Sequence, residues 1–72
     1  MKYIIANQAK AQAHGIRLRA HRTKDDKVIL NEKEVRFCPL LSSYDTLEGK
    51  AAAIGGTVHS RAEIMQILPD YA

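Results

Sequence analysis

A nucleophilic site needs an attacking group, a neighbouring base and a third group that orients the base. The candidates here are Cys38, Ser42, Ser43 and Ser60 as nucleophiles, and His14, His21 and His59 as bases. Cys38 stands between Phe37 and Pro39 with no local activating group. A cysteine in that setting behaves as a small buried hydrophobe. His59 and Ser60 adjoin, but Ser60 is already accounted for as a helix N-cap. Asp25 and Asp26 are paired carboxylates flanked by Lys24 and Lys27, a composition that reads as a solvated turn. The three His and one Cys lack the close pairing of zinc-finger-type sites. In Gly55-Gly56-Thr57 a helix precedes the glycines, whereas phosphate binding needs a strand before them and a helix N-terminus after. The residues therefore predict a non-enzyme with no catalytic, metal or cofactor site and no small-molecule substrate.

Nucleic-acid binding has a more definite signature. Arg17, Arg19 and His21 share one face of an alternating segment, and Arg22, Lys24 and Lys27 stand at the adjoining turn. Arg17, Arg19, Arg22, Lys24 and Lys27 could together neutralise several phosphates. No aromatic side chains interleave with them, so a base-stacking platform is missing. The plainer reading is a strand whose exposed charges discourage edge pairing. Charge is also uneven along the chain. Residues 1–36 carry nine Lys and Arg against four acids, a net of +5, and residues 37–72 carry a net of −2. Such polarity steers a charged partner or pairs molecules head to tail.

What must position these groups is written in a pattern that occurs twice, 29 residues apart. Val28-Ile29-Leu30-Asn31-Glu32-Lys33-Glu34-Val35 is answered by Thr57-Val58-His59-Ser60-Arg61-Ala62-Glu63-Ile64. Each copy has a β-prone run, a capping residue (Asn31 or Ser60) and Glu at the third helical position. This is the capping box, which predicts a strand running straight into a helix. Residues 3–7 begin a third version without the Glu: Tyr3-Ile4-Ile5-Ala6 as strand and Asn7 as cap, with an Ala-rich helix ending at Gly15. Ile16 to His21 alternate apolar and polar or basic residues, the signature of a strand, and are expected to form a hairpin with residues 28–30. After Asn31 a single helical turn is expected before Pro39, then a loop. Thr46 caps a helix over residues 47–54 that Gly55-Gly56 stops. Ser60 caps the last helix, with Ile64, Met65, Ile67 and Leu68 on one face, Pro69 as its end and Tyr71 folding back.

Seventy-two residues allow one small domain, residues 1–72. The reading is α+β: a short, mainly antiparallel sheet of two to four strands packed against two or three short helices. One cysteine excludes an intrachain disulfide. No apolar run approaches the length of a membrane span, and residues 1–6 are too short for a signal peptide. The expected compartment is the cytoplasm or a virion, with no membrane partner.

Two family patterns bear on residues 45–65. Asp45-Thr46-Leu47, Ala51, Gly55 and Thr57-Val58 resemble the first half of a LysM module, which binds peptidoglycan- or chitin-type sugars, over about a quarter of the chain. The second helix begins too late after Val58, no closing strand follows Leu68, and helix caps alone produce the same letters. No residue role is carried over. A helix-turn-helix alignment over residues 52–65 puts Gly55 where an apolar residue belongs and Glu63 on the would-be recognition helix.

The leading expectation is a non-enzymatic structural or adaptor module that works by protein–protein contact with another protein or with itself. A small accessory protein of a phage or mobile element fits that genre. Ile64, Ile67, Leu68 and Tyr71 are the candidate interface, because a core of this size has few places to cover them. The alternative is nucleic-acid binding through the basic stripe.

Overall fold

The computed structural model describes residues 1–16 and 26–67. Element order is β1 (Lys2–Asn7), α1 (Gln8–Ala13), β2 (Lys27–Asn31), α2 (Glu32–Arg36), a 3-10 turn (Pro39–Leu41), α3 (Leu47–Ala53), β3 (Thr57–Ser60) and α4 (Arg61–Ile67). The three strands form one antiparallel sheet in the order β2-β1-β3, with β1 in the centre. The fold is α+β, as the residue pattern predicts. Among the described residues it has four short α-helices rather than two or three, because the turn after Asn31 closes as a helix of its own. The expected hairpin of residues 16–21 with 28–30 falls mainly on residues 17–25, outside the described residues.

Each strand passes directly into a helix through a side-chain cap. Asn7 Oδ1 accepts from the Lys10 N–H at 3.0 Å, and Asn31 Oδ1 accepts from the Glu34 N–H at 2.8 Å. Ser60 Oγ accepts from the Glu63 N–H at 3.2 Å. Each bond satisfies one of the backbone donors that a helix start leaves free. Thr46 caps α3 in the same way, accepting from the Gly49 N–H at 3.0 Å.

The helix ends are equally local in origin. Gly15 and Gly55 have φ of +77° and +65°, the left-handed region that glycine enters without strain. Gly15 N–H bonds to Gln12 O and Ile16 N–H to Ala11 O; Gly55 N–H bonds to Ala52 O and Gly56 N–H to Ala51 O. Both ends are thus Schellman motifs. Gly56 has a second duty. A Cβ there would lie 2.7 Å from Ile5 O, so β1 passes too close for any side chain.

The two faces of the sheet differ. The register sets Ile4 opposite Leu30 and Val58, and Ala6 opposite Val28. These residues share one face, and the main core forms there with Ala11, Ile16, Val35, Leu41, Leu47, Ala51 and Ile54. Helices α1 to α3 supply most of its far wall. Ile29, opposite Ile5, alternates to the other face and is 4% exposed, outside the main cluster. Ile64 of α4 is 1% exposed and also stands outside that cluster, where α4 packs against β1 and β3.

Candidate functional site

Of the basic stripe, only Lys27 lies within the described residues. It is exposed at the start of β2, opposite Asn7. Arg17, Arg19, Arg22 and Lys24, with His21, lie outside them. The stripe as a shared surface therefore stays an expectation from sequence.

The proposed interface residues separate. Ile64 is buried where α4 packs on the sheet, so it holds the helix in place and offers nothing to a partner. Ile67 is exposed, and so is Met65 beside it. Leu68 and Tyr71 lie outside the described residues. Helical spacing put Ile64 and Ile67 on one face, but a seven-residue helix lying across the sheet buries only its central contact. Other exposed apolar side chains gather in the connection between α2 and α3: Phe37 at 74%, Leu40 at 61% and Tyr44 at 41%. Sequence reading places Phe37 in the helical turn before Pro39 and treats residues 40–45 as a plain loop. Phe37, Leu40, Leu41 and Tyr44 do follow the helical spacing i, i+3, i+4, i+7, but Pro39 interrupts the run and only the 3-10 turn Pro39–Leu41 forms.

Cys38 is buried, and its Sγ–H donates to His14 O at 3.1 Å. The thiol acts as a packed hydrophobe with a satisfied donor. Lys50 is unexpectedly 8% exposed, and its ammonium donates to Tyr44 O. A long stem packed along α3 with its head on a loop carbonyl fixes the residues before Thr46.

The arrangement with chemical potential is at the β3–α4 junction. Thr57 and His59 are two residues apart on β3 and point to the same face, away from Val58 and the main core. Thr57 Oγ1 lies 2.5 Å from His59 Nε2. His59 Nδ1 lies 3.4 Å from Glu63 Oε2, one helical turn into α4. Glu63 Oε1 meanwhile accepts from the Ser60 N–H at 3.0 Å, which completes the predicted capping box. These bonds, from Ser60 first and His59 second, hold the Glu63 carboxyl below the usual carboxylate range. The result is an ordered row of hydroxyl, imidazole and carboxylate. The reading of residues as nucleophile and base overlooked it, because it considered Ser60 and passed over Thr57. The available signal was strand alternation from 57 to 59 followed by i, i+4 spacing from 59 to 63.

The other box differs. Asn31 caps α2, but it is Glu32 that reaches out from this junction. Its Oε1 accepts from the Lys2 N–H at 3.4 Å and its Oε2 from Arg36 Nε and Nη2 at 3.2 and 2.9 Å. Arg36 first, then the Lys2 N–H, lowers the Glu32 pKa.

Two shallow clefts flank these elements. One, of about 380 Å³, is bordered by Lys2, Glu48, Ala51, Gly56, Thr57 and Val58. The other, of about 320 Å³, is bordered by Asn7, Gln8, Ala9, Gln12 and Asp26. Among the described residues no group of three or more His, Cys, Asp or Glu is placed to hold a metal ion, and no helix is long and apolar enough to cross a membrane. No family model, curated protein or solved structure matches the chain.

Proposed function

We propose that the chain works by protein–protein contact, as a small structural or adaptor module, and that the partner to test first is a second copy of itself. The observation that carries this reading is the exposure of Phe37, Leu40 and Tyr44 within one eight-residue stretch, residues 37–44. Large apolar side chains left in water together mark a contact surface. A second copy is favoured by charge: the halves of the sequence carry +5 and −2, so two molecules can set opposite-signed regions against each other. It is favoured also by size, since domains of this length commonly gain stability by oligomerisation.

The test is sedimentation of the purified protein across a wide concentration range, beside the double variant Phe37→Ser/Leu40→Ser, with folding of both checked by circular dichroism. A concentration-dependent dimer that the variant loses supports the proposal. A monomer at every concentration overturns the self-pairing. Titration of the same sample with single- and double-stranded nucleic acid addresses the other reading. Salt-steep binding that Arg17→Glu/Arg19→Glu abolishes would move the function to the basic stripe.

A further inference from the structure

We propose that Thr57 is an activated hydroxyl, a site of covalent acylation, with His59 as its base and Glu63 as the residue that positions that base. The inference rests on the β3–α4 junction alone and is independent of self-association.

The geometry defines the roles. An ionised carboxylate can only accept hydrogen bonds. Glu63 is held ionised by its bond from the Ser60 N–H, so its contact with His59 requires the imidazole proton on Nδ1. That tautomer leaves the Nε2 lone pair facing Thr57 Oγ1, 2.5 Å away. The hydroxyl therefore donates to the imidazole, the direction in which a base withdraws a proton. Glu63 is itself fixed. It is the third residue of α4, and Ser60 bonds it reciprocally, with Ser60 Oγ accepting from the Glu63 N–H at 3.2 Å. The capping box thus does more than start a helix. It sets a carboxylate at the outer nitrogen of a histidine whose other nitrogen meets a hydroxyl.

The chemistry suited to this row is acyl transfer from a carboxylic ester with a good leaving group. Thr57 Oγ1 attacks the carbonyl carbon while its proton passes to His59 Nε2. Glu63 stabilises the resulting imidazolium through Nδ1–H. The bond to the leaving alcohol breaks, the alkoxide takes the proton from Nε2, and Thr57 is left as an ester. Atoms and charge balance without a further reagent. Thr57 is exposed and also borders the 380 Å³ cleft, so a small acyl donor reaches it from solvent.

The test treats the full chain with p-nitrophenyl acetate and maps acetyl groups by mass spectrometry. Acetylation of Lys amines in the same molecules serves as the internal reference. The expected result is an acetyl ester on Thr57 that is lost in Thr57→Val and kept in Thr57→Ser. His59→Gln lowers the Thr57-to-Lys ratio by about a hundredfold. Glu63→Gln lowers the ratio as well, although glutamine still fills the capping position and keeps the helix start. A purely structural role for Glu63 would leave that ratio unchanged. Acetylation confined to amines in the wild-type chain overturns the proposal, as does Thr57 acetylation at the same ratio in His59→Gln.

Discussion

The two junctions that share the capping pattern, β2–α2 and β3–α4, have come to do different work. At β2–α2 the strand is an apolar wall: Val28 and Leu30 face the main core, Ile29 is buried on the other side, and Val35 on the helix is fully covered. The acidic side chain that reaches out is Glu32, which ties β1 and α2 to the strand end. At β3–α4 only Val58 packs on the main core, while Thr57 and His59 turn away from it, Thr57 meeting His59 and His59 meeting Glu63. One local rule thus builds both junctions, and strand composition decides whether the result is scaffold or polar site. Burial on both faces leaves β2 no room for polar groups, whereas β3, an edge strand like β2, gives only Val58 to the main core and carries Thr57 and His59 on its other face.

The comparison is broken most severely by emptying the scaffold junction. Leu30→Ala removes a side chain 1% exposed in the main core, and chemical denaturation should show a loss of about 2–5 kcal/mol. The matching change at the second junction, Val58→Ala, should cost less, because Val58 is only partly buried. Equal losses would erase the distinction drawn between the two strands.

Gly56→Ala comes next. Its new methyl would meet Ile5 O and Ala6 Cα on β1, and β3 must shift to relieve the contact. A loss of about 1–3 kcal/mol is expected for such overpacking. The Thr57–His59 pair should be disturbed with it, which amide and imidazole NMR shifts would report.

The caps themselves should be nearly equal. Asn31→Ala and Ser60→Ala each remove one side-chain acceptor from a helix start and should each cost about 1 kcal/mol in thermal or denaturant unfolding. Their partners should differ. Glu63→Ala weakens its junction, whereas Glu34→Ala leaves α2 in place, since Glu34 contributes its backbone N–H to the Asn31 cap.

A gentler probe is pH. The folded-state pKa values of Glu32 and Glu63 are lowered. Each therefore contributes stability that is present above the ordinary Glu pKa and is lost as pH falls through the lowered folded value. Unfolding followed from neutral pH into the acid range should show this decline. Glu63→Gln and Glu32→Gln should each flatten part of it. An acid limb unchanged in both variants would mean that neither carboxylate contributes to folding. The smallest effect belongs to the surface: Phe37→Ser should leave stability within about 0.5 kcal/mol, because Phe37 makes little contact within the molecule.

Much of this architecture was legible in the residues for a definite reason. Caps and C-terminal glycines act over three to five positions, so Asn7, Asn31, Thr46 and Ser60 marked the helix starts and Gly15 and Gly55 two of the ends. The burial of Cys38 followed as directly from its apolar neighbours. Surface assignment was harder. Ile64 and Ile67 have the same chemistry and neighbouring positions on one helix, yet one is sealed and the other open. Lys50 is charged and buried, for a reason located in the Tyr44 carbonyl. Neither outcome has a local signature.

The sequence by itself determined where strands turn into helices and where helices stop, because those interactions close within a few residues of backbone. Only the tertiary structure decided that β1 is central, that Gly56 must lie against it, and that Ile64 is spent on packing. It also decided that the outward face of β3 belongs to Thr57 and His59. Those outcomes depend on which surfaces meet after the chain folds back on itself, and long-range packing has no counterpart in the spacing of neighbouring residues.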